Sequence, residues 1–91
     1  MNERAQAIID FWFDDMFVEK RFKKDEKFDN LIKEKFQEDH NKAIANEYDD
    51  WQDKPLSTLA LVILLDQFSR NLYRDDKRAF AQDQKARLIV N

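Results

Sequence analysis

The stretch LALVILLDQFSRNLYRDDKRAF, residues 59–80, decides the fold. Seven consecutive apolar residues, 59–65, run without a break into Asp66, Gln67, Arg70, Asn71 and Arg74. Seven is far short of the roughly 20 apolar residues that span a bilayer. Pro55 stands just upstream, where its fixed φ suits the first turn of a helix. The run is therefore read as the apolar half of a third helix, from Pro55 to about Leu72. Its first half is apolar on nearly every side, which predicts the central and most buried helix. RDDKR, residues 74–78, then breaks the pattern.

Working outward, Ala5, Ile8, Ile9, Trp12 and Phe13 recur at helical spacing and predict an amphipathic first helix ending near Asp14 or Asp15. Residues 16–24 fit no period; Phe17, Val18 and Phe22 are expected to pin a connecting loop to the core. Asp25 is a good N-cap for a second helix, because its carboxylate can accept orphan first-turn N–H groups. Phe28, Leu31, Ile32, Phe36, Ala43 and Ile44 make that helix's buried stripe, opposite Lys27, Glu34, Glu38 and Lys42. Asn46 is expected to end it in the left-handed conformation. Tyr48 and Trp51 anchor the polar loop that follows. Downstream, Phe80 is expected to tuck inward, and Asp83 to cap a last helix with Ala86, Ile89 and Val90 inside. That helix has apolar residues at the very end of the sequence. The chain is accordingly expected to be the front part of something longer, and to dimerise or lose order after about Ala86.

Composition removes whole classes of function. Ninety-one residues make one small domain with a thin core. There is no cysteine, hence no disulfide, thiolate metal site or cysteine nucleophile. There is no glycine, which argues against phosphate-binding glycine loops, dinucleotide fingerprints and EF-hands. A net charge of −3 lacks the basic excess of a nucleic-acid binder. The N-terminus carries charges where a signal peptide would be apolar, so the reading is a soluble, cytoplasmic protein with no membrane segment. A glycine-free chain with one proline and many good helix formers points to an all-α fold.

DFWF at residues 10–13, KFDNLIKEKF at 27–36, Trp51, LALVILLDQFSRN at 59–71, Arg74 and AFAQD at 79–83 resemble the domain-of-unknown-function 924 family. The resemblance covers almost the whole chain. It implies an all-α, antiparallel, tetratricopeptide-like superhelix, of which this chain is the N-terminal half: three helices and a truncated fourth. It brings no activity with it. The chain departs from the family pattern at Arg21, Asn46, Ser69 and just after Arg74, none of which alters the polar cluster.

Asp66 and Arg70 stand one helical turn apart, as do Gln67 and Asn71, and Arg70 and Arg74. Two arginine forks could hold a carboxylate or phosphate bidentately. The same residues could instead lock the third helix to its neighbours, since a buried polar group without a partner costs about 1–3 kcal/mol. Trp51, in its polar loop, is a further candidate ligand contact, with a loop pin as the plainer role. His40 is the only histidine and is expected at the surface or boundary of the second helix. A serine triad with Ser57 or Ser69 lacks a nucleophile-type turn, and Gln37 stands where a Glu-x-x-His metal motif needs glutamate. The pairs Asp14/Asp15, Asp49/Asp50 and Asp75/Asp76 read as helix caps, with an oxygen-ligated Mg²⁺ or Ca²⁺ site as the sharper alternative. No catalytic residue, metal or cofactor is assigned. The expected function is a non-catalytic scaffold that binds a protein, a peptide or itself. The alternative is an enzyme or a binder of a small anionic ligand through Asp66, Gln67, Arg70, Asn71 and Arg74.

Overall fold

Local capping chemistry sets the helix boundaries in a computed structural model, which describes residues 2–15, 19, 25–74 and 76–90, with the backbone alone at Val90. Asn2 Oδ1 accepts from the amides of Arg4 (2.8 Å) and Ala5 (3.3 Å) and starts α1, Glu3–Trp12. The helix stops earlier than the apolar spacing predicts. Phe13, although in phase with the apolar stripe, is its C-cap with backbone outside the helix and side chain exposed, and Phe11 joins the core instead. Asp25 caps α2, Glu26–Ile44, accepting from the amide of Phe28 at 2.9 Å as expected.

Asn46 ends α2 with φ 67°. The Glu47 amide reaches back to Lys42 O (2.9 Å) and the Asn46 amide to Ala43 O (3.2 Å), a Schellman pair that satisfies the last carbonyls. A short 3₁₀ turn, Asp49–Asp53, follows. Pro55 opens α3, Pro55–Val62. The backbone then widens into a π-helical segment, Ile63–Phe68, and closes again as α4, Ser69–Leu72. Val62, Ile63, Phe68 and Ser69 all keep right-handed helical dihedrals, so the three pieces form one rod ending at the expected residue. A second 3₁₀ turn, Lys77–Phe80, leads to α5, Asp83–Val90. No strand occurs among the described residues, and the chain is all-α.

Five rings form the centre of the core. Phe11 stacks on Phe28 at 5.6 Å and meets Phe36 at 5.3 Å; Phe68 meets Phe36 at 5.2 Å and Trp12 at 5.8 Å. Contacts at such separations add about 0.5–1.5 kcal/mol each beyond burial. Ile8, Ile32, Leu61, Leu64 and Leu65 pack fully buried around them. The central rod is thus the core helix that residues 59–65 predict, although Leu56 and Leu59 in its first turns face outward.

Two further expected core positions, Ile44 and Phe80, lie at the surface. Ile44 is exposed at the end of α2, where the stripe leaves the helix. Phe80 is exposed and lies against the Arg70 guanidinium, 5.2 Å from ring centroid to Cζ, while its neighbour Ala79 is buried instead. Ala86 is buried and Ile89 half-buried as predicted, and Leu88, on the other face of α5, is 70% exposed. The expectations for Phe17, Val18, Phe22, Asp75 and the Val90 side chain lie outside the described residues.

Candidate functional site

The five polar residues on the central rod and just past its end do not form one cluster. They divide into a closed tie and an open cleft. In the tie, Asp29 of α2 accepts from Arg74 Nε (2.7 Å), Arg74 Nη2 (2.9 Å) and Asn71 Nδ2 (2.9 Å). One carboxylate holds three donors from the far end of the rod, which pins α4 and the residues after it to α2. Asp29 sits on α2's first turn, where its charge also complements the helix dipole.

In the cleft, Arg70 Nη1 donates to both the carbonyl and the carboxylate of Asp66, and Nη2 reaches Asp83 of α5 at 3.3 Å. Gln67 Nε2 donates to the other Asp66 oxygen at 2.8 Å. All three ionic side chains remain about a third exposed: 37% for Arg70, 31% for Asp66 and 29% for Asp83. The expected N-cap role of Asp83 gives way to this ion pair. Asp83 is the first residue inside α5, and Gln82 O takes the Ala86 amide.

The backbone is part of this arrangement. Widened helical turns satisfy some carbonyls less well and recur at functional sites. Here Ser69 Oγ donates to Leu65 O (2.7 Å) and Arg70 Nη1 to Asp66 O, each reaching back four residues into the π segment.

His40 contradicts the surface placement expected of it: the side chain is fully buried. Its Nε2 lies 2.7 Å from Ser69 Oγ. The hydroxyl proton is engaged by Leu65 O, so Nε2 is the donor and Nδ1 carries the lone pair. No partner for Nδ1 is found among the described residues. Burial lowers the His40 pKa to about 4, so the ring is neutral at pH 7. The distance is that of a nucleophile and its base, but both side chains are sealed in the core and neither can meet a substrate. A phase signal was present: His40 follows Phe28, Ile32 and Phe36 at four-residue steps.

Two further polar groups carry no sequence signal. Asp39 is buried and receives Arg4 through Nε (3.2 Å) and Nη2, together with the Tyr48 hydroxyl at 2.6 Å. Burial, and then the bond to Asp39, raise the Tyr48 pKa well above the ordinary tyrosine value. The hydrogen bond to Asp39 likewise raises that of Arg4. Lys85 of α5 donates to Ala43 O (2.8 Å) and Asn46 Oδ1, placing a cation at the negative end of α2. Trp51 is buried, with its ring stacked 4.1 Å from Tyr48. Of the acidic pairs, Asp76 caps the second 3₁₀ turn, accepting from the amide of Arg78 at 2.9 Å. Among the described residues no group of three or more His, Asp or Glu could hold a metal ion. No described helix is long and apolar enough to cross a membrane.

The chain is thus a glycine-free all-α protein built on a rod whose LLDQF segment is π-helical. Residues 8–91 match the family described as bacterial protein of unknown function, DUF924, and the chain belongs to that family. It is also similar to the solved structure of a protein of unknown function, ATU0120, from Agrobacterium tumefaciens, at 40% identity and a TM-score of 0.87. The likeness covers 93% of this chain and 48% of that one, so the chain spans about half the length of this relative. No curated protein matches the chain.

Proposed function

We propose that the chain is a non-catalytic helical binding module of the tetratricopeptide-like kind. Its partner is a protein, a peptide or a second copy of itself, met in the cytoplasm. The observation that supports this reading is how the cations of the central rod are matched. Asp29 holds Arg74, and Asp66 and Asp83 hold Arg70. A phosphate or carboxylate ligand would have to displace these carboxylates or lie beside them, which weakens the small-anion alternative. The Ser69–His40 pair is sealed, which weakens a hydrolytic one. Leu56, Leu59, Phe80 and Leu88, by contrast, face outward. Side chains of that kind become stabilising once a partner covers them.

Sedimentation velocity over a concentration series tests the self-association form. The expected result is a mass that rises with concentration in the wild type and stays monomeric in Leu88→Glu, since Leu88 is the most exposed large apolar residue described. A wild-type monomer throughout, indistinguishable from the variant, would remove self-association from the reading.

A further inference from the structure

The cleft between the rod and α5 carries charges of both signs. It is an open concavity of about 260 Å³ lined by Val62, Asp66, Arg70, Asp83, Ala86 and Arg87. Asp66 and Asp83 share the single guanidinium of Arg70, which leaves one negative charge over at that end. A carboxylate has about four lone-pair sites. The donors found on Asp66 and Asp83 leave both with acceptor capacity. One turn further along α5, about 6 Å by helix rise, Arg87 stands exposed with no partner found among the described residues. Val62 and the small Ala86 supply the apolar part of its lining.

The geometry points to a binding site for a small zwitterionic amino acid, with its ammonium group at Asp66 and Asp83 and its carboxylate at Arg87. A simple anion would meet two carboxylates, and a simple cation would meet Arg70 and Arg87. A molecule carrying both charges finds a counter-charge at each end, and charge-assisted hydrogen bonds are the strong ones. The site lies on the π segment through Asp66, at a backbone feature that recurs where helices do chemistry or bind. This inference goes beyond the binding-module reading and does not depend on it, since it requires neither a macromolecular partner nor self-association.

The test is a titration of the ¹⁵N-labelled chain with L-alanine, following the amides of Val62, Asp66, Ala86 and Arg87 by NMR. Saturable shifts confined to this face are expected. N-acetyl-L-alanine, which lacks the ammonium, and L-alaninamide, which lacks the carboxylate, should each bind at least about tenfold more weakly. Arg87→Gln, at an exposed position, should keep the wild-type denaturant midpoint and weaken L-alanine about tenfold; Asp66→Asn provides the matching check at the other end. Absence of saturable shifts overturns the proposal. So does equal binding of either blocked analogue, or unchanged affinity in a folded Arg87→Gln variant.

Discussion

Arg70 lies on the central rod and Arg74 four residues further on, just past its end, yet their surroundings differ in kind. Arg74 meets the Asp29 carboxylate, 45 residues away in sequence on α2, in a bidentate grip that Asn71 joins. Arg70 bridges two carboxylates, one on its own rod and one on α5, beside open solvent. The first arrangement has donors and acceptors matched and serves the fold. The second has more carboxylate than the fold requires at the edge of a cleft, which is where capacity for a ligand remains. Identical residue types therefore acquire opposite roles from what the tertiary structure brings to them.

The largest expected effect probes the core beneath the tie. His40 is held neutral with a folded pKa of about 4, against about 6.5 when unfolded. The folded value is the lower one, so the stability tied to the neutral ring is complete above about pH 6.5. It is lost progressively as pH falls toward 4. By linkage the loss approaches about 3 kcal/mol. Urea midpoints from pH 7 to 4 should show it as a steeper fall in wild type than in His40→Gln; parallel curves would mean that the ring is solvated.

The tie itself comes next. Asp29→Ala leaves a guanidinium and an amide without their acceptor and should cost about 2–3 kcal/mol by chemical denaturation. A cost below about 1 kcal/mol would erase the distinction between tie and cleft. Arg70→Ala should cost under about 1 kcal/mol, because its partners are partly solvated and i,i+4 pairs at surfaces contribute little. That small cost should fade in 1 M salt, where charges are screened over about 3 Å. An Arg70→Ala loss as large as that of Asp29→Ala would make the cleft a second structural lock. The smallest effect is expected at Leu88→Glu, within about 0.5 kcal/mol for the monomer, measured at a concentration below any self-association.

What was legible in the sequence was local. The Asp25 cap, the left-handed Asn46, Pro55 at the head of the rod and the end near Leu72 each depend on chemistry within a few residues. The apolar run at 59–65 marked the core helix because its composition leaves it few alternatives. What was hidden depended on distance or on polarity. Asp29 and Asp83 lie 42 and 13 residues from Asn71 and Arg70, which bind them, and no spacing rule links such pairs. His40 was in phase with the buried stripe, but a polar residue invites a surface reading. Phe80 misled in the opposite direction: an aromatic ring can rest against an arginine in solvent as readily as in a core. Helical spacing drew Asp66, Gln67, Arg70, Asn71 and Arg74 together as one cluster, while their division into two groups required the fold.

The π-helical segment has a consequence for inheritance of register. A turn bonded across five residues holds more chain than one bonded across four. Every side chain after Phe68 is therefore rotated back from the bearing that an unbroken α-helix would give it. Ser69 meets His40, Asn71 meets Asp29 and Arg70 meets Asp83 on that altered bearing. Straightening this segment into a regular helix at constant length would swing all three partnerships away together, whereas removing one residue between positions 63 and 68 would regularise the helix and keep their bearing. The widened turn works as an angular offset built into the chain, on which both the sealed tie and the open cleft depend at once.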